Sequence, residues 1–101
     1  MSTKQENSVI EKVDITLPEF YKVVMHNDDT TSLELVVMIL TSVFEMDVQK
    51  AIEKAMEAHS SGSAVIGSFV KSKAEKLKAQ GMQYARTYGY EQFTLTIEKD
   101  T

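Results

Sequence analysis

The residue types best suited to chemistry stand together in "HNDDT", positions 26 to 30, and a second imidazole, His59, lies further along. An imidazole, an amide and two carboxylates can build a turn, hold a cation or move protons. The turn is the ordinary use, because the short side chains of Asn and Asp bond nearby backbone groups. An aspartate at a helix start also gains about 0.3 to 1 kcal/mol from the helix dipole. Metal binding by His26, His59, Asp28 and Asp29 is disfavoured. Adjacent carboxylates in a turn need not point the same way, and no H-x-x-x-H or H-x-x-E-H pair supplies preorganised ligands. A hydrolytic triad fails as well: Ser60 and Ser61 follow His59 directly, and adjacent helical positions do not face each other. The four glycines are scattered, which excludes a glycine-rich phosphate loop, and without cysteine there is no thiol chemistry and no disulfide.

The elements around these residues follow from apolar spacing. Phe20 to Met25 reads as a strand that ends at the turn. Thr31 and Glu34 fit a capping box, so a first helix begins there and buries Leu33, Val36, Val37, Leu40, Val43 and Phe44. Asp47 caps a second helix, whose stripe of Val48, Ala51, Ile52, Ala55 and Met56 continues into His59. "SSGS" ends that helix, and "AVIGSFV" is a strand in which Gly67 marks a bulge or a close backbone approach. Ser72 and Glu75 repeat the capping box before a third helix with Ala74, Leu77, Gly81, Tyr84, Ala85 and Tyr88 on one face and Gly89 as its stop. "FTLTIEK" alternates strictly, placing Phe93, Leu95 and Ile97 on the buried side of a last strand.

The order β-α-α-β-α-β predicts one α+β domain, with three helices on one face of a small three-stranded antiparallel sheet. Its core spans residues 19 to 101, and residues 1 to 18, mostly polar and ending at the only proline, are expected to be a flexible extension. The chain of 101 residues is 43% hydrophobic and 26% charged, ordinary for one globular domain. A net charge of -4 argues against nucleic acid as a partner. No apolar run approaches a membrane span or a secretory leader, so a cytoplasmic location is the expectation.

Three blocks, "YKVVMHNDDTTSLELVVMIL", "DVQKAIEKAMEAHSSGSAVIGSF" and "YARTYGYEQFTLTIEKD", together resemble the ClpS adaptor family over about residues 20 to 100. The resemblance rests on "NDD" after a strand, a threonine two residues on, H-x-x-G after the second helix, and "TIEKD" at the end. It implies a non-enzymatic adaptor of the N-degron pathway, without cofactor or metal. Such an adaptor binds substrate proteins with a first residue Phe, Tyr, Trp or Leu. It hands them to a Clp-type AAA+ unfoldase, ClpA-like or ClpC-like, coupled to ClpP. A monomer is implied too. A rival of another class is an interaction domain of similar shape, such as the C-terminal domain of the ribosomal stalk protein, but a bare scaffold needs neither "NDD" nor His59.

By this resemblance Asn27, Asp28 and His59 receive the substrate's α-ammonium and Asp29 shapes the same acidic edge. An ammonium presents three donors and a charge, so an amide oxygen, a carboxylate and an unprotonated imidazole nitrogen suit it. The side-chain pocket maps to Thr31, Leu33, Val36, Ala55, Ala58 and Phe93. The chain departs from the family where methionines are usual at Leu33 and Ala55 and a valine at Ala58, and "TYGYEQ" is one residue longer. A roomier pocket that favours aromatic first residues over Leu is therefore expected. The family's unfoldase-docking charges, early in the third helix, fall on Ser72 and Leu77, with Lys73, Glu75 or Lys76 as substitutes.

Overall fold

The computed structural model describes residues 17–100. Most of the expected N-terminal extension lies outside the described residues. The strands β1 (Phe20–His26), β2 (Ser63–Val70) and β3 (Thr94–Lys99) form one antiparallel sheet in the order β2-β1-β3. The helices are α1 (Leu33–Ser42), α2 (Val48–Ser61) and α3 (Lys71–Thr87), giving the expected β-α-α-β-α-β order.

The side chains of the central strand alternate between the two faces of the sheet, although Val24, on the face away from the helices, is buried as well. Val23 and Met25 join Leu95 of β3 and Ala64 and Ile66 of β2 in the core beneath the helices. The opposite face carries the Lys22–Glu98 ion pair and the 2.8 Å contact of His26 Nε2 with Thr96 Oγ1. Val23 pairs with Gly67 but Val24 with Val65, which leaves Ile66 as the extra residue of a bulge. The bulge shifts the alternation by one, so Ala64, Ile66 and Phe69 all serve the core. A Cβ on Gly67 would lie 2.7 Å from Phe69 Cζ, so this glycine marks both the bulge and a close approach. Gly81 of α3 likewise admits Leu95, whose Cδ1 would stand 2.6 Å from an added Cβ.

Several local expectations are corrected. Ser32, not Thr31, caps α1, its hydroxyl accepting from Leu35 N at 3.2 Å, because Thr31 is engaged by Asp28. Asp47 caps α2 as expected, accepting from Lys50 N at 2.8 Å. No capping box starts α3: β2 runs straight into it through Val70, and Ser72 lies inside the first turn. On α1 the buried residues are Leu35, Ile39 and Leu40, while Leu33 is 49% exposed. On α2 they are Ala51, Ala55 and Ala58, whereas Val48, Ile52 and Met56 are exposed. Small side chains let the helix approach its neighbours closely, so its larger apolar residues are left on the outer flank. Tyr88 is exposed beyond the end of α3, its ring tilted against Tyr84 with ring centroids 5.2 Å apart. Gly89, with φ 87°, follows in the left-handed conformation expected of a helix stop. Leu77 is buried in the fold, which removes it from any docking surface.

Candidate functional site

The end of β1 and the end of α2 meet because the sheet register forces them to. His26 pairs with Ser63, the first residue of β2, and one residue beyond this pair Asn27 N donates to Gly62 O at 2.9 Å. Gly62 ends α2 in the left-handed conformation, φ 94°, while its own N–H still bonds Ala58 O at 2.8 Å. The turn carrying "NDD" is thereby tied to the last turn of the helix carrying His59.

Asp28 organises that turn. Its Oδ1 accepts from the backbone N–H groups of Thr30 and Thr31, each at 2.8 Å, and from their hydroxyls at 2.9 and 3.0 Å. Its Oδ2 accepts only the Thr31 hydroxyl, at 2.8 Å, and keeps lone pairs for another donor. Partial burial alone would raise the pKa of Asp28. The N–H groups of Thr31 and Thr30, with their hydroxyls, outweigh burial and hold the carboxyl below its ordinary value. The group at the centre of this loop is therefore an anion at neutral pH.

The turn, α1 and α2 enclose a pocket of about 400 Å³. Asn27, Asp28, Asp29, Thr31, Leu33, Val36, Ala55, Ala58, His59 and Phe93, the residues singled out from sequence, all line it. Asn27, Asp29 and His59 are exposed at the mouth, and Phe93 is 1% exposed at the inner end. Leu33 and Val36 enter from α1, Ala55 and Ala58 from α2. Three lining residues were not assigned to the pocket from sequence: Met25, His26 and Met56. Met25 closes the buried strand end, and Met56, half exposed, flanks Ala55 at the rim. The strand alternation that buries Met25 could have found it, whereas His26 is brought in only by its place beside the turn. The arrangement offers acceptors around an opening and apolar surface behind them, which suits a small cation attached to an apolar group. Among the described residues no group of three or more His, Asp or Glu could hold a metal ion.

A three-helix α+β domain with such a pocket has the form of a binding module. Comparison with known proteins identifies its class: the family model described as ATP-dependent Clp protease adaptor protein ClpS matches residues 16–98. Similar proteins include the ATP-dependent Clp protease adapter protein ClpS of Vibrio cholerae, 37% identical over 75% of this chain and 72% of the relative. That of Vibrio atlanticus is 36% identical with the same coverage. Among solved structures, Agrobacterium tumefaciens ClpS2 bound to L-phenylalaninamide matches with a TM-score of 0.80 and 31% identity, over 83% of this chain and all of that one. The chain belongs to the ClpS family of Clp protease adaptors. It is an adaptor and not an enzyme, and the ribosome-associated reading falls away. Among the described residues no helix is long and apolar enough to cross a membrane.

Proposed function

We propose that the pocket binds the free α-amino group and the bulky apolar side chain of a substrate's first residue. The protein then delivers that substrate to a ClpA-like or ClpC-like AAA+ unfoldase working with ClpP. One observation carries this reading: a single cavity joins an anionic, acceptor-rich mouth at Asn27, Asp28 and His59 to an apolar interior ending on Met25 and Phe93. The ligand named for the Agrobacterium relative, L-phenylalaninamide, has the same two halves, a free amine and a benzyl side chain.

Both halves are needed. Burying an aromatic side chain removes about 150 to 250 Å² from water, which at roughly 25 cal/mol per Å² gives on the order of 4 to 6 kcal/mol. Association costs about 4 to 15 kcal/mol in lost freedom. Charge-assisted hydrogen bonds, at about 1.5 to 3 kcal/mol each, must supply the remainder of the roughly 8 kcal/mol that micromolar binding requires. The amine contacts therefore decide whether a first residue is held, and the apolar pocket decides which.

Fluorescence anisotropy of two labelled peptides that differ only in acetylation of an N-terminal Phe tests this function. Binding of the free amine alone is expected. Equal binding of both forms would mean that the amine is not read.

A further inference from the structure

Arg86, in the last turn of α3, donates through one nitrogen, Nη1, to two backbone carbonyl oxygens: Tyr90 O at 2.8 Å and Phe93 O at 3.0 Å. The connection it spans is irregular. Its first part folds back on the helix by backbone bonds alone, with Tyr88 N and Tyr90 N donating to Ala85 O and Gly89 N to Arg86 O. Regular pairing resumes only at Thr94, opposite His26. Between these anchors the guanidinium holds the backbone of Phe93. Its other contact, Nε to Glu91 at 3.8 Å, involves a carboxylate 77% exposed and adds little.

Phe93 is the buried aromatic residue at the inner end of the pocket. A planar, permanently charged fork suits this task better than a flexible amine, because less freedom is lost for each bond it makes. Removing it leaves Phe93 O without its charge-assisted donor and the segment from Glu91 to Phe93 untied from α3. We propose that Arg86 is a positioning residue that fixes Phe93, and with it the depth of the side-chain pocket and the choice between aromatic and Leu first residues. The proposal rests on the first-residue function proposed above. Arg86 does not line the pocket and acts on the ligand only through Phe93.

The test measures anisotropy with Phe-first and Leu-first peptides, each free and acetylated, on the full chain and on Arg86→Gln and Arg86→Lys. Circular dichroism melts report the folded fraction. Arg86→Gln is expected to weaken the Phe-first peptide about tenfold, the weight of one charge-assisted hydrogen bond. The Leu-first peptide should weaken by a smaller factor, and discrimination against acetylated peptides should persist. Arg86→Lys should recover part of the Phe-first affinity. An unchanged Phe-to-Leu ratio, or equal losses that follow the folded fraction, overturns the proposal while leaving first-residue recognition intact. Failure of the unmodified chain to distinguish free from acetylated peptide overturns both. If Arg86→Gln does not fold, the Phe-to-Leu ratio of Arg86→Lys decides in the same way.

Discussion

The proposed function gives Asp28 a second task beside building the turn, and substitution can separate the two. Replacing it with Ala removes all five of its contacts with Thr30 and Thr31. The loss resembles removal of a helix N-cap and should cost about 0.5 to 2 kcal/mol. In a domain of this size each kcal/mol lowers the melting midpoint by roughly 4 to 8 °C. Asp28→Asn keeps an Oδ1 acceptor for the two N–H groups but removes the charge and the second acceptor oxygen. Its melting midpoint should fall between those of the original chain and Asp28→Ala. Binding should rank differently, because the ammonium loses its anionic partner in both variants. The loss of a charge-assisted bond worth about 1.5 to 3 kcal/mol predicts roughly 10- to 150-fold weaker binding. Thermal denaturation followed by circular dichroism gives the first ranking, and anisotropy with a labelled Phe-first peptide gives the second. Should Asp28→Asn bind as tightly as the original chain, the carboxylate would be a turn builder only and the ammonium role would be refuted.

Ala55→Met should narrow the pocket from the α2 side and cut affinity for Trp-first and Phe-first peptides more than for Leu-first ones; an unchanged ranking in competition anisotropy would remove Ala55 from selectivity. The pKa of Asp28 is depressed in the fold, so its contribution is fully present above the ordinary value of 3.8 and is lost as pH falls through the lowered folded value. The turn should therefore be unaltered between pH 8 and pH 5. His59→Ala should weaken binding of a Phe-first peptide without unfolding the domain, because an acceptor at the pocket mouth is lost. Unchanged affinity of His59→Ala in anisotropy would remove His59 from ammonium recognition. Gly62→Ala meets no atom within 4 Å, so only its φ of 94° opposes the change. A destabilisation of about 1 to 2 kcal/mol is expected in denaturant titration, and a neutral result would contradict the strain argument.

Element order was legible because each boundary has its own local chemistry. Asp47 caps where a free backbone N–H needs an acceptor, Gly67 marks the bulge, and Gly89 takes a positive φ. Helix phase was harder to read. The segment "LELVVMIL" is apolar on nearly every side, so the stripe through Leu33, Val36 and Val37 fits helical spacing as well as the one through Leu35 and Ile39 that the fold buries. On α2 hydrophobicity points to Val48, Ile52 and Met56, yet close approach requires alanine. Apolar period alone does not distinguish a residue that is buried because it is large from one that is buried because it is small. The Thr31 capping box failed for a different reason, since two acceptors competed for one stretch of backbone. Asp28 took the N–H and hydroxyl of Thr31, and Ser32 was left to cap the helix.

That competition links the turn to the site. A carboxylate free of local bonds would need to be ordered on binding, at a cost in side-chain freedom. Asp28 is already held through Oδ1 by the N–H groups of Thr30 and Thr31 and the Thr30 hydroxyl, while the single proton of the Thr31 hydroxyl lies between Oδ1 and Oδ2. Asn27 is tied through its backbone to Gly62, which follows the helix that carries His59. On the proposed function, the bonds that read as an ordinary turn would preorganise the acceptors at the pocket mouth. On the proposed function the turn and the binding site are one construction, and the Asp28→Asn variant separates the two roles because it keeps the Oδ1 acceptor of the turn and removes the charge.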